Sequence, residues 1–124
     1  MTTLINSGCR IKVSSVLNRE TTLYGKQFLT DDSEETCWNS EAGTPQFIII
    51  DFARKVNIDT FQLMFQGGFV GKICQVLHWT DSLDFPVAES ERLTTSRVKI
   101  VFETSSDFFG RITIYKLDIL GQDA

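Results

Sequence analysis

Short stretches in which apolar and polar residues alternate recur along this chain, and residues that favour turns separate them. Phe61, Leu63 and Phe65 alternate with polar side chains ahead of a pair of glycines, and residues 47–52 form an almost continuous apolar run. Alternation with a period of two is typical of β-strands, and helical periodicity is weak everywhere except at residues 19–25. The predicted strands cover residues 10–17, 47–52, 61–65, 72–80, 97–103 and 111–120. Short strands separated by turns predict an all-β sandwich.

The composition narrows the functions that are compatible with this prediction. The chain has 124 residues and ten phenylalanines, which suits one domain over residues 1–124 with a packed aromatic core. A net charge of −4 and a sequence pI near 4.9 make direct binding to the phosphates of a nucleic acid unfavourable. No apolar run reaches the roughly 18 residues that predict a membrane span.

The cysteines predict an intracellular compartment. Cys9, Cys37 and Cys74 cannot all pair within the chain, and the N-terminus has neither the basic start nor the apolar stretch of a secretion signal. We therefore expect reduced thiols that pack as small apolar side chains.

Catalytic motifs are missing from the sequence. His78 is the sole histidine and lies in a predicted strand, where a packing role is commoner than a role as general base. Cys74 and His78 have a spacing compatible with zinc, but no second pair of cysteine or histidine ligands accompanies them. We expect that the protein is not an enzyme.

The segment at residues 31–38 concentrates unusual chemistry in a turn. It reads Asp-Asp-Ser-Glu-Glu-Thr-Cys-Trp, with four carboxylates just before an apolar strand. Carboxylates are preferred ligands of calcium, but they also keep ordinary surface turns in water. The residues alone leave these two interpretations equally open.

This turn resembles the Leu-Asp-Gly-Asn-Pro-x-Thr-x-Trp signature of discoidin domains, also called coagulation factor C-type or galactose-binding-like domains. The resemblance implies an antiparallel jelly-roll β-sandwich of about eight strands. Four further blocks look like a family of small proteins that associate with an orphan nuclear receptor and repress it. These blocks occupy residues 14–18, 34–40, 65–69 and 107–111.

The discoidin resemblance implies a cation site, and one difference argues against it. The positions that match the family's ligands are the carbonyls of Phe28 and Ser33 and the side chains of Asp31 and Thr36. The family's remaining ligand is a glutamate on the last strand, where this chain has Lys116, and a fixed positive charge disfavours a divalent ion. We therefore expect no cofactor, with Lys116 donating to Asp31 and the loop carbonyls, and calcium as the alternative. The structural turn would consist of Asp31, Thr36, Trp38 and Lys116.

Two segments are predicted to bind a partner through exposed aromatic rings. Paired glycines allow a tight turn that would lift Phe69 out of its strand. Next to each other in an extended chain, Phe108 and Phe109 would point to opposite faces, so that one enters the core and the other stays exposed. The alternative is that all three rings fold back and cap the sandwich. The predicted partner-binding residues are Gln66, Gly67, Gly68, Phe69, Asp107, Phe108, Phe109 and Arg111.

Two classes of function follow from these resemblances. The first is an intracellular, nuclear protein-interaction module, a monomeric transcriptional cofactor that represses through an orphan nuclear receptor. The second is a glycan-binding module, for which Trp79 and Tyr24 are the candidate stacking residues. Extracellular discoidin domains join their ends by a disulfide, and the lack of a cysteine after Cys74 favours the first class. Binding to a membrane surface lacks the basic residues that anionic lipids attract.

Overall fold

A computed structural model describes residues 2–79, 87–88 and 93–124 of the chain. Over these residues it forms eight strands, a one-turn helix α1 (Thr21–Tyr24) and 3₁₀ turns at Leu17–Arg19 and Lys26–Leu29. The strands are β1 (Thr2–Thr3), β2 (Arg10–Val13), β3 (Trp38–Asn39), β4 (Gln46–Phe65), β5 (Gly71–His78), β6 (Val87–Ala88), β7 (Leu93–Ser105) and β8 (Thr113–Asp123). All pairings are antiparallel, which confirms the predicted all-β jelly roll. None of the described helices is long and apolar enough to cross a bilayer.

Strand β4 is shared between the two sheets of the sandwich. Its first part pairs with β2 and β7, and its second part pairs along β8, with a register shift between Asp51 and Val56. The sequence predicted two separate strands here, and the structure joins them through a bend in which Ala53 has a φ of 60°. The larger sheet is therefore β2–β4–β7–β5–β6, and in the smaller sheet β8 lies between β4 and the short strands β1 and β3.

Inward-facing residues of both sheets form one core. Ile48 and Ile50 on β4 alternate with half-buried neighbours, as the predicted burial of one face requires. Phe65 and Phe102 contact each other edge to face across the two sheets, with ring centroids 5.8 Å apart. The fully or nearly fully buried apolar residues are Leu4, Leu29, Trp38, Ile48, Ile50, Phe52, Val56, Ile58, Val98, Ile100, Phe102, Ile112, Ile114, Leu117 and Ile119.

Several strand limits differ from those predicted. Strand β2 ends at Val13, because the Ser14 and Ser15 hydroxyls turn to donate to the side chain of Gln46, at 2.5 and 2.7 Å. Strand β8 begins at Thr113, since Arg111 is held in the preceding loop. The predicted strand at 72–80 ends at His78, and Thr80 lies outside the described residues.

The two ends of the sandwich have different contents. The end that carries the chain termini, the terminal end, pairs Thr2 with Gly121, and Arg54 binds both terminal segments. Its guanidinium donates to Asp123 at 2.8 Å and to the carbonyl of Leu4 at 3.2 Å. The opposite end, the loop end, gathers the connections β3–β4, β4–β5 and β7–β8.

Candidate functional site

Backbone hydrogen bonds tie together the three connections at the loop end. The Gly43 N–H donates to the carbonyl of Phe109 at 2.7 Å, which joins β3–β4 to β7–β8. The Ser106 N–H donates to the carbonyl of Val70 at 2.9 Å, which joins β7–β8 to β4–β5. Both segments that the sequence predicted as partner-binding are thus brought into one surface.

The Arg111 side chain lies at the centre of this surface. Its Nε donates to Asp107 Oδ2 at 3.0 Å, and its Nη2 is 3.4 Å from Asp107 Oδ1. The guanidinium carbon is 5.1 Å from the ring centroid of Phe69 and 5.6 Å from that of Phe109, within the range of cation–π attraction. The hydrogen bond from Arg111 lowers the pKa of Asp107, and the same bond raises the pKa of Arg111. The acid, the cation and the two rings form one connected cluster.

Phe108 and Phe109 are both exposed, at 94% and 62%, and their rings contact each other edge to face. The prediction that one of them enters the core is therefore wrong. It assumed an extended chain, whereas residues 107–110 form a tight turn in which the Gly110 N–H donates to the Asp107 carbonyl at 3.0 Å. Gly110 has a φ of 81°, and an added Cβ would lie 2.9 Å from the Gly43 nitrogen. A glycine is required at this position by both the backbone and the neighbouring loop.

The β4–β5 connection supports the cluster from below. Gly68 has a φ of 88°, as the predicted tight turn requires, and both Gly67 and Gly68 are exposed. The Phe69 N–H donates to the Gln66 carbonyl at 3.0 Å, and the Phe69 ring is half-buried. Phe69 is therefore a partly covered platform for Arg111, with Phe108 and Phe109 as the exposed rings.

Sequence reasoning missed the β3–β4 connection and the side chain that holds it. The buried Gln46 donates through Nε2 to the Gly43 carbonyl at 2.7 Å and accepts from Ser14 and Ser15 through Oε1. A glutamine directly before a long apolar run was the available signal, because a buried amide needs several hydrogen-bond partners. Gln46 thereby fixes the position of Gly43, which in turn binds Phe109.

A polar cleft of about 700 Å³ lies beside this network. Its wall includes Asn18 and Arg19, which have successive φ values of 53° and 58°. Such backbone conformations are uncommon for residues other than glycine. The lining residues are Ser14, Ser15, Val16, Asn18, Arg19, Thr21 and Glu41.

The acidic turn lies against β8, away from the aromatic cluster. Asp31 accepts from the Ser33 N–H at 3.2 Å and from the Thr36 hydroxyl, so two positions that match the family's side-chain ligands bind each other. The Lys116 ammonium donates to Asp32 Oδ1 at 2.8 Å and not to Asp31, as was predicted. Adjacent carboxylates on a turn point in different directions, and that of Asp32 is the one that reaches β8. The pair lowers the pKa of Asp32 and raises that of Lys116.

The other turn residues have the expected structural surroundings. Trp38 is fully buried and donates through Nε1 to the Ser15 carbonyl at 2.9 Å. The ring of Phe28 is half-buried, and its N–H donates to the Gly25 carbonyl at 3.2 Å. An ammonium at hydrogen-bond distance from the turn does not fit a divalent cation at the same place.

The candidate catalytic and sugar-stacking residues are covered. His78 is 5% exposed within β5, as a packing residue would be. The Arg97 guanidinium lies 4.2 Å from the centroid of the Trp79 ring, and Tyr24 is half-buried. Burial raises the pKa of the Cys37 and Cys74 thiols, which disfavours the reactive thiolate.

Solved structures with this architecture include carbohydrate-binding proteins. An F5/8 type C domain of a Bacteroides fragilis protein matches with a TM-score of 0.79 at 11% identity, covering 99% of this chain and 97% of that domain. A Clostridium perfringens module solved in complex with GalNAc-β-1,3-galactose matches with a TM-score of 0.74 at 15% identity, covering 97% of this chain and all (100%) of the module. At such identities the likeness shows a shared fold, that of discoidin domains.

Sequence relatives are closer and span almost the whole chain. No family model matches. The nuclear receptor 2C2-associated protein of Danio rerio is 41% identical over 136 residues, covering 96% of this chain and 95% of that protein. The Homo sapiens protein of the same name is 39% identical over 127 residues, covering 90% of each. The chain therefore belongs to the family of nuclear receptor 2C2-associated proteins.

Proposed function

We propose that the protein is a non-catalytic nuclear module that binds an orphan nuclear receptor through its loop end and represses transcription. The name shared by its relatives supports association with a receptor. The observation that carries the choice of surface is the pair of exposed rings at Phe108 and Phe109 beside Arg111. Aromatic and arginine side chains dominate the binding energy of protein interfaces.

The loop end also meets the energetic requirement for tight binding. An interface loop that is ordered before binding loses less conformational entropy when the complex forms. The bonds Gly43–Phe109 and Arg111–Asp107 hold the β7–β8 connection on both sides, so the two exposed rings start from a fixed turn. We infer that their apolar area is available to the receptor at low entropic cost.

Binding of the purified chain to purified nuclear receptor 2C2 tests this proposal directly. The variant Phe108→Ser/Phe109→Ser should lose most of the affinity, and Leu23→Ser/Ile73→Ser is a matched control because Leu23 and Ile73 are 57% and 66% exposed elsewhere. Truncation of two central aromatic residues is expected to weaken binding by about a hundredfold. A reporter gene controlled by the receptor should then lose its repression with the first variant only.

Equal affinity for the receptor in both double variants would remove the loop end from the proposal. Thermal unfolding of each variant, followed by circular dichroism, checks that the sandwich is intact. Galactose and N-acetylgalactosamine added as competitors test the glycan alternative. That alternative is the weaker one, because Arg97 covers the ring of Trp79 that would stack on a sugar.

We further propose that Lys116 holds the acidic turn in place of a cation. The ammonium has three donors and its described partner is Asp32, while Asp31 is occupied by the Ser33 N–H and the Thr36 hydroxyl. Each oxygen acceptor that is bound in this way is no longer available as a metal ligand. The turn is then complete without calcium.

A further inference from the structure

The outer face of the larger sheet carries a second surface, distinct from the loop end. Cross-strand pairing aligns Lys12 with Ile49, Ile49 with Lys99 and Lys99 with Leu77, so these four side chains form one row across β2, β4, β7 and β5. The neighbouring rows are Arg10–Asp51–Arg97 and Phe47–Val101–Gln75. We call this set of residues, together with Glu103 and Trp79, the basic sheet face.

The charge of this face opposes that of the whole chain. The chain has a net charge of −4, yet the basic sheet face has four cations against two carboxylates, Asp51 and Glu103. The described ion pairs lie elsewhere on the molecule, at Arg54–Asp123, Arg111–Asp107 and Lys116–Asp32. A cationic surface on an otherwise acidic protein attracts and orients acidic partners.

Aromatic rings hold two of the cations in position over the sheet. The Lys99 ammonium is 4.4 Å from the centroid of the Phe47 ring, and the Arg97 guanidinium is 4.2 Å from that of Trp79. Stacking restricts the long side chains and keeps each charge above the strands. Ile49, Val101 and Leu77 between them are only partly buried, so the face combines fixed charge with aliphatic surface.

We propose that the basic sheet face binds an acidic polypeptide segment that also carries apolar side chains. Its carboxylates would pair with Lys12, Lys99 and Arg97, and its apolar side chains would cover the aliphatic surface between them. A single-stranded nucleic acid fits less well, because base stacking needs open aromatic faces and both rings here are covered by cations. Asp51, in the middle of the face, would also repel phosphates.

Fluorescence anisotropy with a defined peptide tests the proposal on the full chain. The probe is a fluorescein-labelled peptide of about 16 residues with glutamate and leucine in helical spacing, and the control peptide has glutamine at every glutamate. Lys12→Glu/Lys99→Glu should weaken binding of the acidic peptide by about tenfold or more. Lys26→Glu/Lys72→Glu changes the net charge equally at two exposed lysines outside the face and should change affinity less than about twofold.

Two further arms keep this test separate from the receptor experiment. Lys12→Glu alone alters a fully exposed side chain on an edge strand, so it serves if the double variant does not fold. The variant Phe108→Ser/Phe109→Ser should bind the acidic peptide as the wild-type chain does, whatever its affinity for the receptor. Equal binding of the glutamine peptide, tighter binding of an oligothymidine strand, or self-association of the chain through this face in sedimentation would each overturn the proposal.

Discussion

Two acid–cation pairs hold loops of this molecule, and they do so over very different separations along the chain. Asp107 and Arg111 are four residues apart in one loop, whereas 84 residues separate Asp32 from Lys116. The side chains of the first pair are 11% and 34% exposed beside aromatic rings, and those of the second are 82% and 46% exposed. Water and salt screen an exposed pair more strongly. The local pair therefore shapes one loop, and the distant pair only attaches a turn to a strand.

Replacement of Gly110 by valine should give the largest effect on this comparison. The new Cβ would lie 2.9 Å from the Gly43 nitrogen, and the φ of 81° is strained for a β-branched residue. We expect unfolding free energy to fall by about 2–3 kcal/mol and receptor binding to be lost. Urea unfolding followed by fluorescence and the receptor-binding assay measure the two effects.

Gly67→Ala is the control for that prediction. No heavy atom lies within 4 Å of the Cβ that this alanine would add, so stability and binding should stay close to those of the wild-type chain. A similar loss in both variants would mean that the loop end tolerates no side-chain change, and that the contact between Gly110 and Gly43 has no special part.

Calcium sharpens the comparison at the acidic turn. In the wild-type chain, calcium should leave the Tm unchanged, because Lys116 occupies the turn through Asp32. Lys116→Glu removes the ammonium and supplies a carboxylate, which is the ligand type that calcium prefers. We expect this variant to unfold at a lower temperature without calcium and to regain stability when calcium is added.

Lys116→Gln is the matched control, since an uncharged amide removes the ion pair without supplying a carboxylate. Its Tm should be insensitive to calcium. A wild-type chain that is markedly stabilised by calcium, with the effect abolished by Asp31→Ala, would contradict a turn held by Lys116.

The smallest expected effect is a difference in acid sensitivity between the two pairs. The pKa values of Asp107 and Asp32 are both lowered from 3.8, so each carboxylate adds stability above its ordinary value and loses it as pH falls through the lowered one. The Tm deficits of Arg111→Gln and Lys116→Gln should therefore be full near neutral pH and shrink below pH 4. Thermal scans in low-salt buffer measure both deficits.

The deficit should be larger for Arg111→Gln over the whole range. Its guanidinium also contacts the rings of Phe69 and Phe109, and those contacts do not depend on the charge of Asp107. The deficit that remains in acid measures this contribution of the rings. A larger deficit for Lys116→Gln would reverse the proposed ranking of the two pairs.

The strands were predictable because their signal is local. Alternating burial on β4 and β8 follows directly from the apolar pattern of the sequence. The continuity of β4 was not predictable, since its bend has an alanine at positive φ where a glycine would have marked the turn. A non-glycine residue in that conformation is set by the contacts of both sheets.

The candidate site was predictable in its residues and not in its geometry. Paired glycines and adjacent phenylalanines identified both loops, but the exposure of Phe108 and Phe109 depends on the contact between Gly43 and Phe109, which are 66 positions apart. The choice of Asp32 over Asp31 as the partner of Lys116 is equally non-local. Neighbouring residues of the same type differ only in direction, and direction comes from the folded chain.

The attachment of both chain ends to the terminal end has a practical consequence for any tethered form of the protein. Thr2 pairs with Gly121, and β8 runs from the loop end to this point over 11 residues, a span of roughly 30 Å. A tag, a fused protein or a solid support joined at either end would therefore leave the molecule on the side opposite Phe108 and Phe109. Either terminus can anchor the protein with its aromatic loops facing outward.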